Sequence, residues 1–183
     1  MKLVRTAPSY IAAVICVVAA GYLVFNWLAG FAAETSETIT PEAELARTIH
    51  GVEYLNISVL GDSTGNDSTE WVTQWAMLLA TEGAAVEVRT WDHGQAAWVP
   101  VVLRFGSGQR TITIWNGSVS GATPSYPLQF KTFLQPVKPD VTIINYGHDH
   151  RGSPATLAIE LRNLLDSLRT QWDGDLSTAL TIQ

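Results

Sequence analysis

Residues 54–63, YLNISVLGDS, combine a short apolar run with a Gly-Asp-Ser turn. An apolar run of this length that ends at a glycine is typical of a strand buried in a parallel sheet. After the turn, Asp67 and Glu70 form an N-terminal capping pair for a helix, and Gly83 is placed to end it. Between these signals, apolar residues recur at helical spacing: Trp71, Trp75, Leu78 and Leu79. This stretch therefore predicts a strand, a turn and a helix in that order.

The rest of the chain continues to alternate strand-like and helix-like segments. Strands are predicted at residues 86–91, 141–146 and 178–182, a hairpin at residues 99–115 around Gly106-Ser107-Gly108, and a helix from Ser153 and Pro154 to Trp172. The helix has an N-cap serine, a first-turn proline and a stripe of leucines on one face. This order predicts an α/β domain in which helices cover a parallel sheet.

The N-terminal segment is predicted to direct the protein to a membrane or across it. Lys2 and Arg5 precede an apolar run at residues 10–33, which is as long as the ~20 residues that span a bilayer. We favour an uncleaved signal anchor, whereas Gly30 and Ala32 would suit the alternative of a cleaved signal peptide. In both cases the basic end stays in the cytoplasm and the domain lies outside it, membrane-anchored or secreted.

These features divide the chain into three parts. Residues 1–33 form the anchor or signal peptide, residues 34–50 a polar linker or short helix, and residues 51–183 the α/β domain. The strand predicted at residues 178–182 has no covering helix after it, so we expect the domain to be incomplete at its C-terminus, without its final strand and helix.

Composition argues against several partners and cofactors. The net charge of -6 and the charged share of 15% leave no basic surface that could neutralise the phosphates of a nucleic acid. Cys16 is the only cysteine, so no intrachain disulfide can form. The sequence has no glycine-rich phosphate or dinucleotide motif and no cluster with metal-ligand spacing, so we predict neither a cofactor nor a metal.

Ser63 is the sharpest candidate for chemistry. A serine directly after a buried strand and before a helix stands at the carboxyl edge of the sheet, where open α/β folds bind ligands. Taken alone, Gly-Asp-Ser is more often simply a turn. Two further loops change that balance, because residues 116–123 (NGSVSGAT) and 147–150 (GHDH) also follow predicted strands and would meet Ser63 at the same edge.

These three loops resemble the motif blocks of the SGNH, or GDSL, hydrolases. Gly61-Asp62-Ser63 resembles the first block, residues 116–123 match the Asn-x-x-x-Ser-Gly-x-Thr pattern of the second, and residues 147–150 occupy the position of the Gly-x-Asn-Asp block. The resemblance runs from residue 54 to residue 183 in the order of the family. It implies a three-layer, flavodoxin-like α/β fold with a parallel sheet.

The resemblance also assigns roles to individual residues. Ser63 would attack the acyl carbonyl of an ester, and the N–H groups of Ser63 and Gly121 would donate to the oxyanion, each worth roughly 3 kcal/mol. Asp149 stands where the family has an asparagine that supplies a third donor. The neighbouring residues expected to contact the substrate are Asp62, Thr64, Asn116, His148 and His150.

Two departures from the family pattern bear on activity. An ionised Asp149 accepts hydrogen bonds and cannot donate one, so activity requires that burial keeps it protonated, that water or a neighbouring histidine substitutes, or else the site is impaired. The C-terminal Asp-x-x-His of the family is absent, and a serine without its base is a poor nucleophile. The histidines that are present are His50, His93, His148 and His150. We expect the base to lie in the absent C-terminal segment.

Two functions are consistent with these patterns. The first is an exported or membrane-anchored serine esterase that removes an acyl group, acetyl being the simplest, from a carbohydrate, a cell-envelope component or a lipid. The alternative is a catalytically impaired SGNH-like protein that binds envelope components or carbohydrates. Both would have a small-molecule or glycan ester as ligand and the membrane as a partner through the N-terminal helix. Trp91, Trp98 and Trp115 flank the predicted hairpin and suit packing on the core better than stacking on sugar rings.

Overall fold

The computed structural model describes residues 40–174 and 178–182, the second range by its backbone only. The strands in these ranges are β1 Tyr54–Gly61, β2 Ala84–Asp92, β3 Ala97–Trp98, β4 Leu103–Phe105, β5 Arg110–Asn116, β6 Val141–Tyr146 and β7 Thr178–Ile182. The helices are α1 Pro41–Gly51, α2 Trp71–Thr81, α3 Pro127–Leu134 and α4 Pro154–Gln171. These bounds confirm the predicted strand, turn and helix after residue 54, the three strands predicted further along, and the helix that begins at Pro154.

The N-terminal part of the described chain is a helix that packs on the sheet. Leu45 and Ile49 of α1 contact the core, so the compact unit begins at Pro41, earlier than the boundary predicted at residue 51. The anchor or signal peptide predicted at residues 1–33 lies outside the described residues. Of the helices that are described, none is long and apolar enough to cross a membrane.

Strand β1 lies in the middle of the sheet. It pairs in parallel with β5 on one side and with β6 on the other. β2 and β7 extend the sheet beyond these neighbours, again in parallel, which gives the order β2-β5-β1-β6-β7. The short strands β3 and β4 pair antiparallel with β2. The structure is therefore a mixed α/β fold with a mostly parallel sheet, as predicted.

The hairpin predicted at residues 99–115 is wrong. β4 and β5 do not pair with each other, because β4 pairs with one edge of β2 and β5 with the opposite edge. Between β4 and β5 the chain passes from one edge of β2 to the other, close to the first residue of β2. A Cβ at Gly108 would overlap the carbonyl group of Gly83, and one at Gly106 would overlap the carbonyl oxygen of Ala84. The two glycines therefore permit a close backbone crossing instead of a hairpin turn.

The strand order of the sheet also differs from the flavodoxin-like order. Flavodoxin-like sheets have their parallel strands in the order 2-1-3-4-5. Here the parallel strands, counted along the chain, lie in the order 2-3-1-4-5. β3 and β4 pair with the outer edge of β2, and β5 lies between β2 and β1. The flavodoxin-like order implied by the resemblance is therefore not observed.

Helices cover both faces of the sheet. Alternate residues of a strand face opposite sides, so a strand covered on both sides is apolar almost throughout. One buried cluster combines Leu55, Ile57 and Val59 of β1 with Val72, Ala76 and Leu79 of α2. The other combines Leu60 of β1 and Ile144 and Tyr146 of β6 with Leu134 of α3 and Leu161, Leu164 and Leu168 of α4.

The helix caps agree with the sequence at α4 and differ at α2. Ser153 caps α4, since its hydroxyl accepts from the N–H of Thr156 at 3.2 Å. α2 begins at Trp71, one residue after Glu70, and no side chain caps it. The predicted Asp67–Glu70 pair closes the preceding turn instead, because the Glu70 carboxylate accepts from the Asp67 N–H at 2.7 Å.

Candidate functional site

Three loops meet at the carboxyl edge of the sheet. β5, β1 and β6 are adjacent and parallel, so the residues after Asn116, Gly61 and Tyr146 emerge side by side. The chain leaves β1 toward β2 on one side of the sheet and leaves β6 toward β7 on the other. Open α/β sheets have a ligand crevice where the direction switches in this way.

One oxygen of Asp149 connects all three loops. Its Oδ2 accepts hydrogen bonds from the backbone N–H of Ser63 at 3.2 Å and from that of Gly121 at 3.0 Å. These are the two groups assigned to the oxyanion from the sequence, and such donors lie about 2.7–3.1 Å from the charged oxygen. The structure therefore brings Ser63, Gly121 and Asp149 together, with the Asp149 carboxylate in the place of an oxyanion.

Asp149 is ionised at neutral pH. The side chain of Ser63 does most to lower the pKa of this carboxyl. The backbone N–H groups of Gly121 and Ser63 and the nearby His148 lower the pKa further, and partial burial opposes them. Burial therefore does not keep Asp149 protonated, which removes one of the alternatives raised by the sequence. A hydrogen-bond acceptor stands where the SGNH pattern has a donor.

Gly121 is required for its backbone conformation. Its φ is +75°, in the left-handed region where a side chain is strained. A Cβ at this position would meet no atom within 4 Å, so crowding does not explain the glycine. The conformation directs the N–H of Gly121 toward Asp149.

Asp62 is buried and holds two of the loops together. Its Oδ1 accepts from the N–H and the hydroxyl of Thr64 at 3.2 and 2.9 Å, and its Oδ2 accepts from the N–H groups of Gly147 and His148, both at 3.2 Å. Thr64 is half-buried and also accepts from the side chain of Asn145 at 2.9 Å. Because Asp62 is 0% exposed, the substrate contact predicted for it is corrected to a positioning role.

Asn116 is buried in the same way. Its side-chain nitrogen donates to the carbonyl oxygen of Gly65 at 2.7 Å, and its side-chain oxygen accepts from the N–H of Ser118 at 3.2 Å. These bonds fix the Ser63 turn against the loop that carries Gly121. The substrate contact predicted for Asn116 is therefore also corrected to a positioning role.

His148 and His150 belong to the loop that presents Asp149. His148 is exposed and lies near enough to Asp149 to lower the pKa of that carboxyl. The side chain of His150 is 7% exposed, and its Nδ1 lies 3.9 Å from a carboxylate oxygen of Glu160. In the described part of the chain neither ring nitrogen of His150 has a hydrogen-bond partner.

The other two histidines contact different parts of the chain. His50 is in the last turn of α1, which precedes the start of β1, so it lies near the opposite edge of the sheet. His93 follows β2, and its Nδ1 is 3.0 Å from the hydroxyl oxygen of Tyr126. Among residues 40–174 the carboxylate of Asp149 accepts from the backbone N–H of Ser63 at 3.2 Å. A carboxylate with a lowered pKa is a weak base at neutral pH.

A polar cavity of about 340 Å³ lies beside the crevice. Its polar lining comes from Asn66, Asp92, His93, Ser118 and Ser120. With its amide nitrogen turned toward acceptors, Asn66 donates to the carbonyl oxygen of Ser63 at 2.9 Å. Sequence reasoning missed Asn66 and Asp92. Their positions, after β1 and at the end of β2, are the signal that could have found them, since strand ends meet at this edge.

The tryptophans pack on one another beside this cavity. The rings of Trp91 and Trp98 meet edge to face with centroids 5.4 Å apart, and those of Trp98 and Trp115 with centroids 5.0 Å apart. Trp91 is 4% exposed. The packing role predicted for these residues is confirmed.

The fold and the site define a mixed α/β protein with a polar crevice at the carboxyl edge of a mostly parallel sheet. In the residues that the structure describes, no group of three or more His, Cys, Asp or Glu side chains is arranged to hold a metal ion. Comparison of the chain with family models, with curated proteins and with solved structures gives no match. The resemblance to the SGNH hydrolases therefore stays a prediction from the sequence motifs.

Proposed function

We propose that this chain is an SGNH-type serine esterase with Ser63 as its nucleophile. The observation that carries the proposal is the convergence of the Ser63 and Gly121 N–H groups on one negatively charged oxygen. The tetrahedral intermediate of acyl transfer carries its charge on such an oxygen, and each donor contributes roughly 3 kcal/mol. A pair of N–H groups that binds a carboxylate oxygen is suited to that charge.

In the proposed reaction the Ser63 oxygen attacks the acyl carbon and its proton passes to a base. The alcohol then leaves, and water hydrolyses the acyl-enzyme. Ser63 is half-buried and Gly121 is exposed, so an ester can reach both once the Asp149 side chain has moved away. The SGNH pattern takes this base from a C-terminal Asp-x-x-His, and no aspartate in the printed sequence has a histidine three residues later.

The cavity beside the crevice supports a polar alcohol portion in the substrate. Asn66, Asp92, His93 and Ser120 offer it hydrogen-bonding groups. Such groups fix the orientation and specificity of a ligand, and carbohydrate hydroxyls are their natural partners. The proposed substrates are therefore acyl esters, such as acetyl esters, of carbohydrates or envelope glycans in preference to lipids.

The proposal includes the SGNH fold and export from the cytoplasm. Helices on both faces of the sheet support a three-layer fold, whereas the strand order adds no support. The basic and apolar character of residues 1–33 supports a domain outside the cytoplasm, tethered to the membrane or secreted.

A second candidate function is carbohydrate or envelope binding by a catalytically impaired SGNH-like protein. The Asp149 carboxylate favours this alternative, because it accepts from the N–H groups of Ser63 and Gly121 and so occupies the oxyanion position. While it stays there, its charge repels a substrate oxyanion.

Labelling with a fluorophosphonate probe tests Ser63 as the nucleophile, since the probe bonds covalently to activated serines. We expect the full-length protein to be labelled and Ser63→Ala to remain unlabelled. Ser107→Ala, which removes an exposed serine at the opposite edge of the sheet, should be labelled like the wild type. If residues 1–33 are an uncleaved anchor, the labelled protein stays with the membranes after carbonate washing.

Two outcomes would overturn the esterase proposal. Equal labelling of the wild type and Ser63→Ala would exclude Ser63 as the nucleophile. Absence of labelling in a folded protein that binds carbohydrate would instead favour the second candidate.

A further inference from the structure

We propose that Asp149 blocks the site formed by the backbone N–H groups of Ser63 and Gly121, here called the N–H pair, against external oxyanions such as carboxylates. Asp149 is the built-in occupant of this site. An external oxyanion enters only when the Asp149 side chain leaves. The inference goes beyond ester hydrolysis, because binding an anion requires the two N–H groups and not the hydroxyl of Ser63.

The N–H pair is held in place by contacts that do not involve Asp149. Asn116 ties the turn after Ser63 to the second loop through Gly65 and Ser118. The N–H of Val119 donates to the carbonyl oxygen of Gly61 at 3.0 Å, which fixes the second loop to the end of β1. Removal of the Asp149 side chain therefore leaves both donors facing the same point.

The loop that carries Asp149 is held by hydrogen bonds on both sides of this residue. The N–H groups of Gly147 and His148 are bound by buried Asp62, and the N–H of His150 donates to the carbonyl oxygen of Gly147 at 3.2 Å. An occupant on the same chain pays no association entropy, so a free anion competes with it at a disadvantage.

Charge adds to this advantage. Asp149 is ionised, so it fills the site and also repels a second anion. Hydrogen bonds from N–H groups to a carboxylate are stronger than those to neutral acceptors such as water. Truncation of Asp149 thus removes the negative charge and leaves both N–H groups directed at the same point. A free carboxylate is a better partner for these groups than water.

A second consequence rests on the proposed function. Because Asp149 occupies the N–H pair, it inhibits the esterase. The phosphoryl oxygen of a fluorophosphonate and the oxyanion of an ester substrate both need the position that Asp149 Oδ2 holds. If the open arrangement is a minor state, permanent opening raises the labelling rate by about tenfold or more. Asp149→Ala should therefore be labelled faster than the wild type.

Acetate is the probe that tests the anion site directly. The readout is the backbone amide resonances of Ser63 and Gly121 in the isotopically labelled full-length protein, held in detergent micelles. We expect both resonances of Asp149→Ala to shift saturably with acetate, with an affinity about tenfold or more above that of the wild type. Asp166→Ala, which removes an exposed carboxylate on α4, should behave like the wild type.

Two further variants make the outcome decisive. Asp149→Asn keeps the volume of the side chain without its charge, and it should bind acetate with intermediate affinity even if the alanine variant is disturbed. Asp149→Ala combined with Ser63→Ala keeps both N–H groups and should still bind acetate. Wild-type affinity in both single variants at Asp149, or no saturable shift in either, would overturn the site. Acetate binding without fluorophosphonate labelling would retain the site and reject the esterase.

Discussion

Asp149 is surrounded by groups that bind its charged form. The Ser63 side chain and the two backbone N–H groups hold the pKa of this carboxyl below its ordinary value of 3.8. A carboxyl whose pKa is lowered in the folded protein stabilises the fold fully at pH values above its unfolded pKa. That stabilisation disappears as the pH falls through the folded value.

Replacement of Asp149 by asparagine should remove this pH dependence. We expect the free energy of unfolding of the wild type to decline more steeply than that of Asp149→Asn as the pH falls below about 4. Urea denaturation of both proteins across that range measures the difference. Asp67, whose pKa is lowered mainly by hydrogen bonds from Thr69, is present in both proteins and cancels in the comparison. Parallel curves would show that the Asp149 contacts contribute no stability.

The sequence identified the residues of the candidate site better than the residues that hold them in position. Ser63, Gly121 and Asp149 could be brought together from the sequence because loops after adjacent parallel strands share one edge. Asp62 and Asn116 could not be assigned correctly, because Asp and Asn are mostly exposed and their burial depends on distant partners. Most of those partners are backbone groups, which leave no signal in the sequence.

At the scale of elements, strands were easier to predict than their partners. Apolar patterning depends on the residues of one strand, so it located β1, β2 and β6 without reference to the others. Pairing depends on the path between strands. Gly106-Ser107-Gly108 has the composition of a hairpin turn, yet both glycines are used where the chain passes beneath β2. The local turn signal was therefore overridden by a contact distant in sequence.

Replacement of Gly108 by alanine should test that crossing. A Cβ there would overlap the backbone of Gly83, which cannot rotate away as a side chain can, so we expect a loss of about 2–3 kcal/mol in the free energy of unfolding. Gly51→Ala is the matched control, because a Cβ at the end of α1 lies 4.0 Å from the side chain of Arg47. Alanine favours the helix, so the control should change stability by about 1 kcal/mol or less. Wild-type stability of Gly108→Ala in urea denaturation would contradict the crossing.

At the scale of the whole molecule, alternation of strands and helices along the chain predicted the α/β class, and the finer topology could not be predicted. The class follows from the need of each apolar strand face to be covered by a helix. The order of the parallel strands depends on which strands pair, and here β5 lies between β1 and β2. The switch of direction between β1 and β6 is preserved despite the altered order, so the crevice still forms at the ends of these strands.

Gln135 links the strands that end at this crevice. Its side-chain nitrogen donates to the hydroxyls of Ser58 on β1 and Thr142 on β6 at 3.0 and 3.1 Å, and its side-chain oxygen accepts from the indole N–H of Trp172 after α4 at 2.8 Å. Gln135 is 2% exposed, so water has little access to replace it. The bonds connect two central strands to the helix layer through one residue.

Replacement of Gln135 by leucine, which has a similar volume, should cost about 3–5 kcal/mol in the free energy of unfolding, because three buried polar groups lose their partner. Gln129→Leu, at an exposed position of α3, should stay within about 0.5 kcal/mol of the wild type in the same urea denaturation. Native-state hydrogen exchange then separates two explanations of a loss. If Gln135 couples the strands to the helix layer, amides of β1, β6 and α4 lose protection together. Loss confined to α4 would show that Gln135 holds only the helix, and that β1 and β6 keep the crevice in register by their own pairing.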